Sequence, residues 1–297
     1  MRKRVAYIQF PQDELGAMKR LDGLNIRFNV SIYTQNGMPA TARIEIYNPN
    51  RGDLSFLTTT TRTALKKNYL FQLYAGYAGE VRLMFSGQVF EATPSSYPDV
   101  ILTMRGHSNI KWWGDPFDIQ KSQVKVMDLI DEAAKKMGYQ VNIDDRLRNS
   151  NQFLNMTADD FSFTGSPMEL LEKAQSMMGG ISSDPDTVFL SVYNDQINIW
   201  SPSVPSARAK LLISKDTGMI GLPRPTPTGC EVDILMDTGI QTGDTVEIKT
   251  VRMGKVLNGE YRVVSIQHTG ELRGNTWQTT LNCTATSYFK ADSNGEQ

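Results

Sequence analysis

Residues 127–138 recur without a gap as residues 168–179, so whatever this segment folds into is built twice in one chain. Met127, Leu129, Ala133, Met137 and Gly138 return as Met168, Leu170, Ala174, Met178 and Gly179, while Asp128, Ile130 and Asp131 are answered by Glu169, Leu171 and Glu172. Apolar residues at this spacing make one buried stripe on a helix, and part of the match reflects that shared requirement. Gly138 supplies a left-handed stop. The second copy carries its start signals: Ser166 to cap, Pro167 for the first helical position, Glu169 to complete a capping box. Each copy leads toward an extended stretch, Tyr139 to Ile143 and Val188 to Trp200, which predicts a small duplicated α/β region.

Both flanks read differently. From Leu24 to Gly106 the pattern is mostly period two, the mark of strands with one buried face. Phe28, Val30 and Ile32 alternate with Asn29 and Ser31, and Ile44 and Ile46 alternate with Arg43 and Glu45, up to a turn over Asn48–Asp53. Further strands are expected at 69–74, 81–92 and 100–105. Five strands without a long helix suggest a closed or nearly closed β-barrel. After Pro202 and Pro205 strands return at 230–235, 245–250, 260–268 and 276–285, with Asn258-Gly259 as a hairpin signal. A second barrel is expected there. Its layout echoes the first: Phe71 to Tyr74, Phe85-Ser86-Gly87 and Ile101 to Arg105 have counterparts in Val246 to Thr250, Leu257-Asn258-Gly259 and Thr279 to Cys283. The fold class is therefore α+β, mainly β, two barrels flanking a small α/β region.

At 297 residues the chain has room for two or three cores. Its 31 basic residues against 32 acids leave no overall field to hold nucleic acid or an anionic membrane. Cys230 and Cys283 are too few for a disulfide framework and lack metal-ligand spacing, which suits a reducing compartment. Arg2, Lys3 and Arg4 before Val5 to Ile8 resemble a secretory signal, but Gln9 and Pro11 end the apolar run too early. No stretch has the roughly 18 apolar residues of a membrane span. Synthesis as a soluble cytoplasmic protein is expected.

Catalytic groups are hard to find. His107 and His268 are the only histidines, and metalloprotease, serine-hydrolase and phosphate-loop motifs are missing. Structural hydrogen bonding is the expected role of both histidines. The acid pairs Asp144 and Asp145, Asp159 and Asp160, and Asp184 and Asp186 fit solvated turns better than acid/base chemistry or a hard cation. No catalytic residue, cofactor or metal is expected. Trp112, Trp113 and Phe117 crowd a connector with Gly114 and Pro116, where they either pack between the first barrel and the middle region or anchor a neighbouring subunit.

The segments Leu212–Pro223, Gly243–Val246, Asn258–Val263, and His268–Gly270 ahead of Trp277–Thr279 resemble the C-terminal part of baseplate hub proteins of tailed bacteriophages. Pro39–Pro49 is similar to the first tube-like strands of that family. The resemblance implies two tail-tube-like barrels per chain: 1–115 with an N-terminal arm and 206–290, flanking an α/β region at 116–205, with a flexible tail at 291–297. It further implies a homotrimeric, pseudo-six-fold ring in the virion, assembled in the host cytoplasm, with the tail tube protein above, the central spike below and other baseplate proteins around it. Genomic DNA would pass through the ring without being read in sequence. No membrane span and no enzymatic activity go with this reading. A hub-like component of a contractile injection system, or a freestanding glycan- or nucleic-acid-binding barrel module, is the alternative.

Overall fold

The structure is a computed structural model and describes residues 3–11, 18–34, 39–58, 70–96, 98–108, 115–178, 186–202, 204, 206–250 and 257–286. The first part holds β1 (Arg4–Phe10), β2 (Lys19–Leu21), β3 (Asn25–Ile32), β4 (Thr41–Tyr47), a helix α1 over 51–58, β5 (Leu70–Tyr77), β6 (Glu80–Pro94) and β7 (Ile101–His107). The middle holds β8 (Phe117–Lys125), α2 (Val126–Met137), β9 (Gln140–Asn142), α3 (Asp145–Ser150), β10 (Thr157–Gly165), α4 (Pro167–Met177), β11 (Phe189–Tyr193) and β12 (Gln196–Trp200). The last part holds β13 (Leu211–Ile213), β14 (Met219–Thr226), β15 (Gly229–Leu235), β16 (Thr245–Ile248), β17 (Gly259–Glu271) and β18 (Trp277–Ala285).

The duplicated helices are α2 and α4, packed on one another over a common core that includes Leu129, Ala133, Met168 and Ala174. Gly138 takes φ 68° at the end of α2, as its position demanded. At α4 both halves of the capping box are made: Ser166 N–H donates to Glu169 Oε2 at 2.6 Å, and Glu169 N–H donates to Ser166 Oγ at 3.3 Å. The repeat also includes the preceding strands, since β8 and β10 pair antiparallel ahead of their helices. The apolar stretch 188–200 is no single strand. It folds back at Asn194-Asp195, φ 51° and 60°, into the β11–β12 hairpin, a turn that asparagine and aspartate tolerate. That hairpin is buried on both faces and wedges into the flanks: Ser108 Oγ donates to Val192 O at 2.8 Å, and Ser191 Oγ meets Thr242 Oγ1 at 2.8 Å.

Among the described residues the flanks do not close into separate cylinders. Thirteen of the described strands form one open sheet, because β3, the strand left to complete the first half, pairs instead with β17 of the second. Within this sheet the two halves repeat one another. The neighbour order β3-β4-β7-β6-β5-β1 is matched by β14-β15-β18-β17-β16-β13. Register agrees as well: Leu70–Leu73 oppose Gln88–Phe85, and Thr245–Ile248 oppose Arg262–Gly259. Two residues further, each long strand carries a bulge, at Phe90 in β6 and Val264 in β17. One feature differs, β1 running antiparallel to β5 while β13 runs parallel to β16. Asn258-Gly259 is not the tip of a tight hairpin, since Ile248 pairs with Gly259 across a connection spanning 249–258.

Candidate assembly interface

The sheet presents two unlike faces. Alternation along β4 buries Ala42, Ile44 and Ile46 and leaves Thr41, Arg43 and Glu45 outside. The buried side chains of both halves join into a single apolar core running from Ala6 to Cys283. On the other face polar residues line up strand to strand across the seam, in rows such as Gln278, Thr269, Asn29, Arg43, Arg105 and Glu91. Arg27, Arg43, Arg105 and Arg224 stand there among Glu45, Glu91, Glu231, Asp233 and Glu271, in pairs that include Arg27–Glu271 at 3.2 Å, Arg43–Glu45 at 2.9 Å, Arg105–Glu91 at 3.3 Å and Arg224–Asp233 at 2.7 Å. Such half-exposed pairs add little to stability. Their effect is to cancel the field of a broad polar face.

The seam between the halves is a main-chain ladder with an aromatic lock. Ile266–Glu271 of β17 oppose Ile32–Arg27 of β3. Phe28, 1% exposed, lies over Gly270, where any Cβ would collide with its ring, and meets the Trp277 ring edge-on at 5.4 Å. Arg4 reaches across from β1 to donate to the Gly274 carbonyl at 2.7 Å.

His268 sits beneath this seam, 2% exposed, with Nδ1 2.9 Å from Thr279 Oγ1. Burial pushes its pKa down to about 4, from an ordinary value near 6.5. Between those values the unfolded chain takes up a proton that the folded chain refuses. The neutral imidazole's contribution is thus complete above pH about 6.5 and fades as pH falls toward 4, by about 3 kcal/mol in all. Urea midpoints from pH 7 to 4 should fall more steeply for the wild type than for His268→Leu; equal slopes would remove His268 as the cause.

The remaining sequence candidates are placed as follows. Trp112 and Trp113 lie outside the described residues. Phe117 starts β8 and packs on Phe163, centroids 6.0 Å apart, under Lys136 Nζ at 4.9 Å. His107 ends β7, its ring stacked at 5.5 Å on the exposed Phe90. Asp144 caps α3 and grips Arg146, which holds its carboxyl down near a pKa of about 2; Asp159 accepts from Gln123. Asp184 is outside the described residues. Among the described residues no cluster of metal-ligating side chains occurs, and no helix is long and apolar enough to cross a membrane. Sequence reasoning missed the polar knot of Arg208, Asp244 and Arg262 where the middle region meets the second half, because its members are far apart in sequence and follow no motif.

This fold is shared with solved tail proteins of phages and of a related secretion machine. The 43 kDa tail protein of prophage MuSo2 from Shewanella oneidensis matches with a TM-score of 0.60 at 12% identity, over 97% of this chain and 98% of that one. The tail protein of Neisseria meningitidis MC58 matches at 0.62 and 9% identity, over 98% and 99%. The E. coli c3393 protein, a type VI secretion system component with structural similarity to the T4 tail proteins gp27 and gp5, matches at 0.53 and 8% identity, over 88% and 74%. These likenesses establish fold alone. No curated protein matches the sequence. The family model of the baseplate hub gp41 matches residues 12–283, and the chain belongs to that family of structural baseplate proteins.

Proposed function

We propose that three copies of this chain form a ring that joins a six-fold tail tube to a three-fold central spike and surrounds part of the DNA channel. The observation that carries this reading is the repeated half-sheet, equal in strand order, register and bulge position, since one chain with two like units presents six near-equivalent edges when three copies close. Residues 1–115 and 206–290 supply the two tail-tube-like half-sheets of the ring, joined edge to edge within each copy. The 116–205 region faces neighbouring baseplate proteins, with Trp112, Trp113 and Phe117 as an intersubunit anchor. The ion-paired polar face is suited to line a channel: with its arginines already matched by carboxylates, DNA gains little by releasing counterions there and slides instead of binding. Assembly takes place in the host cytoplasm and the product is part of the virion tail. A place in a contractile injection system uses the same geometry, and the likeness to the type VI component keeps it as the second reading.

Mass in solution tests the proposal. A particle of three times 33.3 kDa, formed alone at high concentration or on a spike partner, is the expected result. A chain that stays monomeric with every spike offered and binds glycan or nucleic acid instead overturns it.

A further inference from the structure

The seam inside the chain specifies what a seam between chains would have to match. In the repeat, β14 stands where β3 stands and β6 where β17 stands. β3 and β17 are paired. Among the described residues the outer edge of β14 and the Ala92–Pro94 end of β6 carry no strand on the side where their counterparts meet.

The ladders carry the internal register over residue by residue. Aligned on their bulges, β6 and β17 place Pro94 at the position of His268, and β7 and β18 then place Gly106 at that of Cys283. Their next neighbours place Ala42 at Cys230 and so Val30 at Pro225. His268 faces Val30 across the internal seam. Pro94 of one copy would therefore face Pro225 of the next.

The phase of the ladder makes this pairing consequential. Leu272 N–H donates to Ile26 O, so in the internal seam the pairs 270/28, 268/30 and 266/32 each exchange two bonds, six donors in all. Ser95 N–H donates to Ile101 O, which turns the nitrogen of Pro94 away from β7 and toward the open edge. Counted along the chain, the corresponding positions are Pro223 in the irregular stretch of β14, Pro225, and Pro227 in the turn that follows, against Ala92 and Pro94 of β6 and Ser96 just past its end. Four of six donors are missing. Prolines facing outward on an edge strand are the usual means of preventing uncontrolled pairing. Beside the same edges lie exposed apolar side chains: Leu212, Ile220, Leu222 and Leu235 around β14, and Phe90 on β6. Val264, the counterpart of Phe90, is covered by the Phe189–Trp200 stack.

We infer that β14 of one copy docks on the Phe90–Pro94 edge of a second copy, by apolar side chains over a proline-blocked ladder. The seam between copies is thus weaker than the seam within each, and copies stay apart until enough neighbours hold the ring closed. The inference rests on the ring reading and adds to it the edges, the register and the reason for the weakness.

Thr93 and Thr226 occupy the positions of Gln267 and Ser31, which face each other without exchanging bonds across the internal seam, a separation that suits a disulfide. The 297-residue chain carrying Thr93→Cys and Thr226→Cys, oxidised with diamide, should give covalent dimers and trimers that neither single variant gives. In Pro94→Val with Pro225→Val two donors return, and sedimentation should show association tightened on the order of tenfold or more. A trimer by mass that never crosslinks at these sites overturns this seam and leaves the ring standing. A chain monomeric throughout, uncrosslinked and unmoved by the valines, overturns the inference. Crosslinking without a gain from the valines overturns its account of the weakness.

Discussion

Phe28→Ala should cost about 3–5 kcal/mol in urea unfolding, the range for emptying a fully packed phenylalanine site. The ring is 1% exposed, held edge-on by Trp277 and seated on a glycine, so the cavity has few side chains free to refill it. It also lies on the ladder that unites the two halves, where Asn29 meets Thr269 from 240 residues away. The complementary change, Gly270→Val, pushes a branched side chain into the same ring and should destabilise by roughly 1–3 kcal/mol or more through overpacking. If Phe28→Ala shifts the midpoint by less than the equivalent of about 1 kcal/mol, the seam is not the structural joint described above.

Local features of the sequence were legible to the extent that their physics is local. Strands β3, β4, β15 and β18 are half-buried, so period two appears in their residues and their positions could be read within one to three residues. Caps and apolar spacing located α2 and α4 equally well. The β11–β12 hairpin reads as one extended piece because a hairpin buried on both faces has no alternation; its only signal is the Asn194-Asp195 dipeptide. β14 leaves no strand signal because Pro223 and Pro225 argue against one, and as the outermost of the described strands it can carry them. β1 resembles a truncated export signal, although its buried Ala6, Ile8 and Phe10 follow strand alternation. The pairing of β3 with β17 is the largest omission. Each strand's pattern is satisfied by a closed barrel as well as by the open sheet observed, and the contact that accompanies the observed pairing, Phe28 on Gly270, is encoded in no local pattern.

The second large effect is expected at Asp244, where Asp244→Ala should cost about 3–5 kcal/mol by stranding a buried guanidinium. Asp244 is 2% exposed and Arg262 3%. Burial raises the pKa of the carboxyl despite Gln241 N–H at 2.9 Å and Arg208 at 3.1 Å, and burial lowers that of Arg262 to about 10 despite the nearby carboxylate. Both shifts point the same way: removal from water costs these charges more than their partners return. Arg262 has little else to rely on. Its Nη1 donates to Val204 O at 3.2 Å, its guanidinium lies 5.0 Å from the Trp200 ring, and its Nε makes no hydrogen bond among the described residues. Trp200 is fixed in turn by Gly243, φ 85°, where a Cβ would come within 2.6 Å of the indole. Losing the carboxylate leaves the charge without its counterion, whereas removing both charges removes both desolvation penalties. Asp244→Leu with Arg262→Met should therefore recover most of the loss, reaching wild-type stability to within about 1 kcal/mol or exceeding it. Equal losses in the single and double variants would show instead that the knot is held by shape, with the charges incidental.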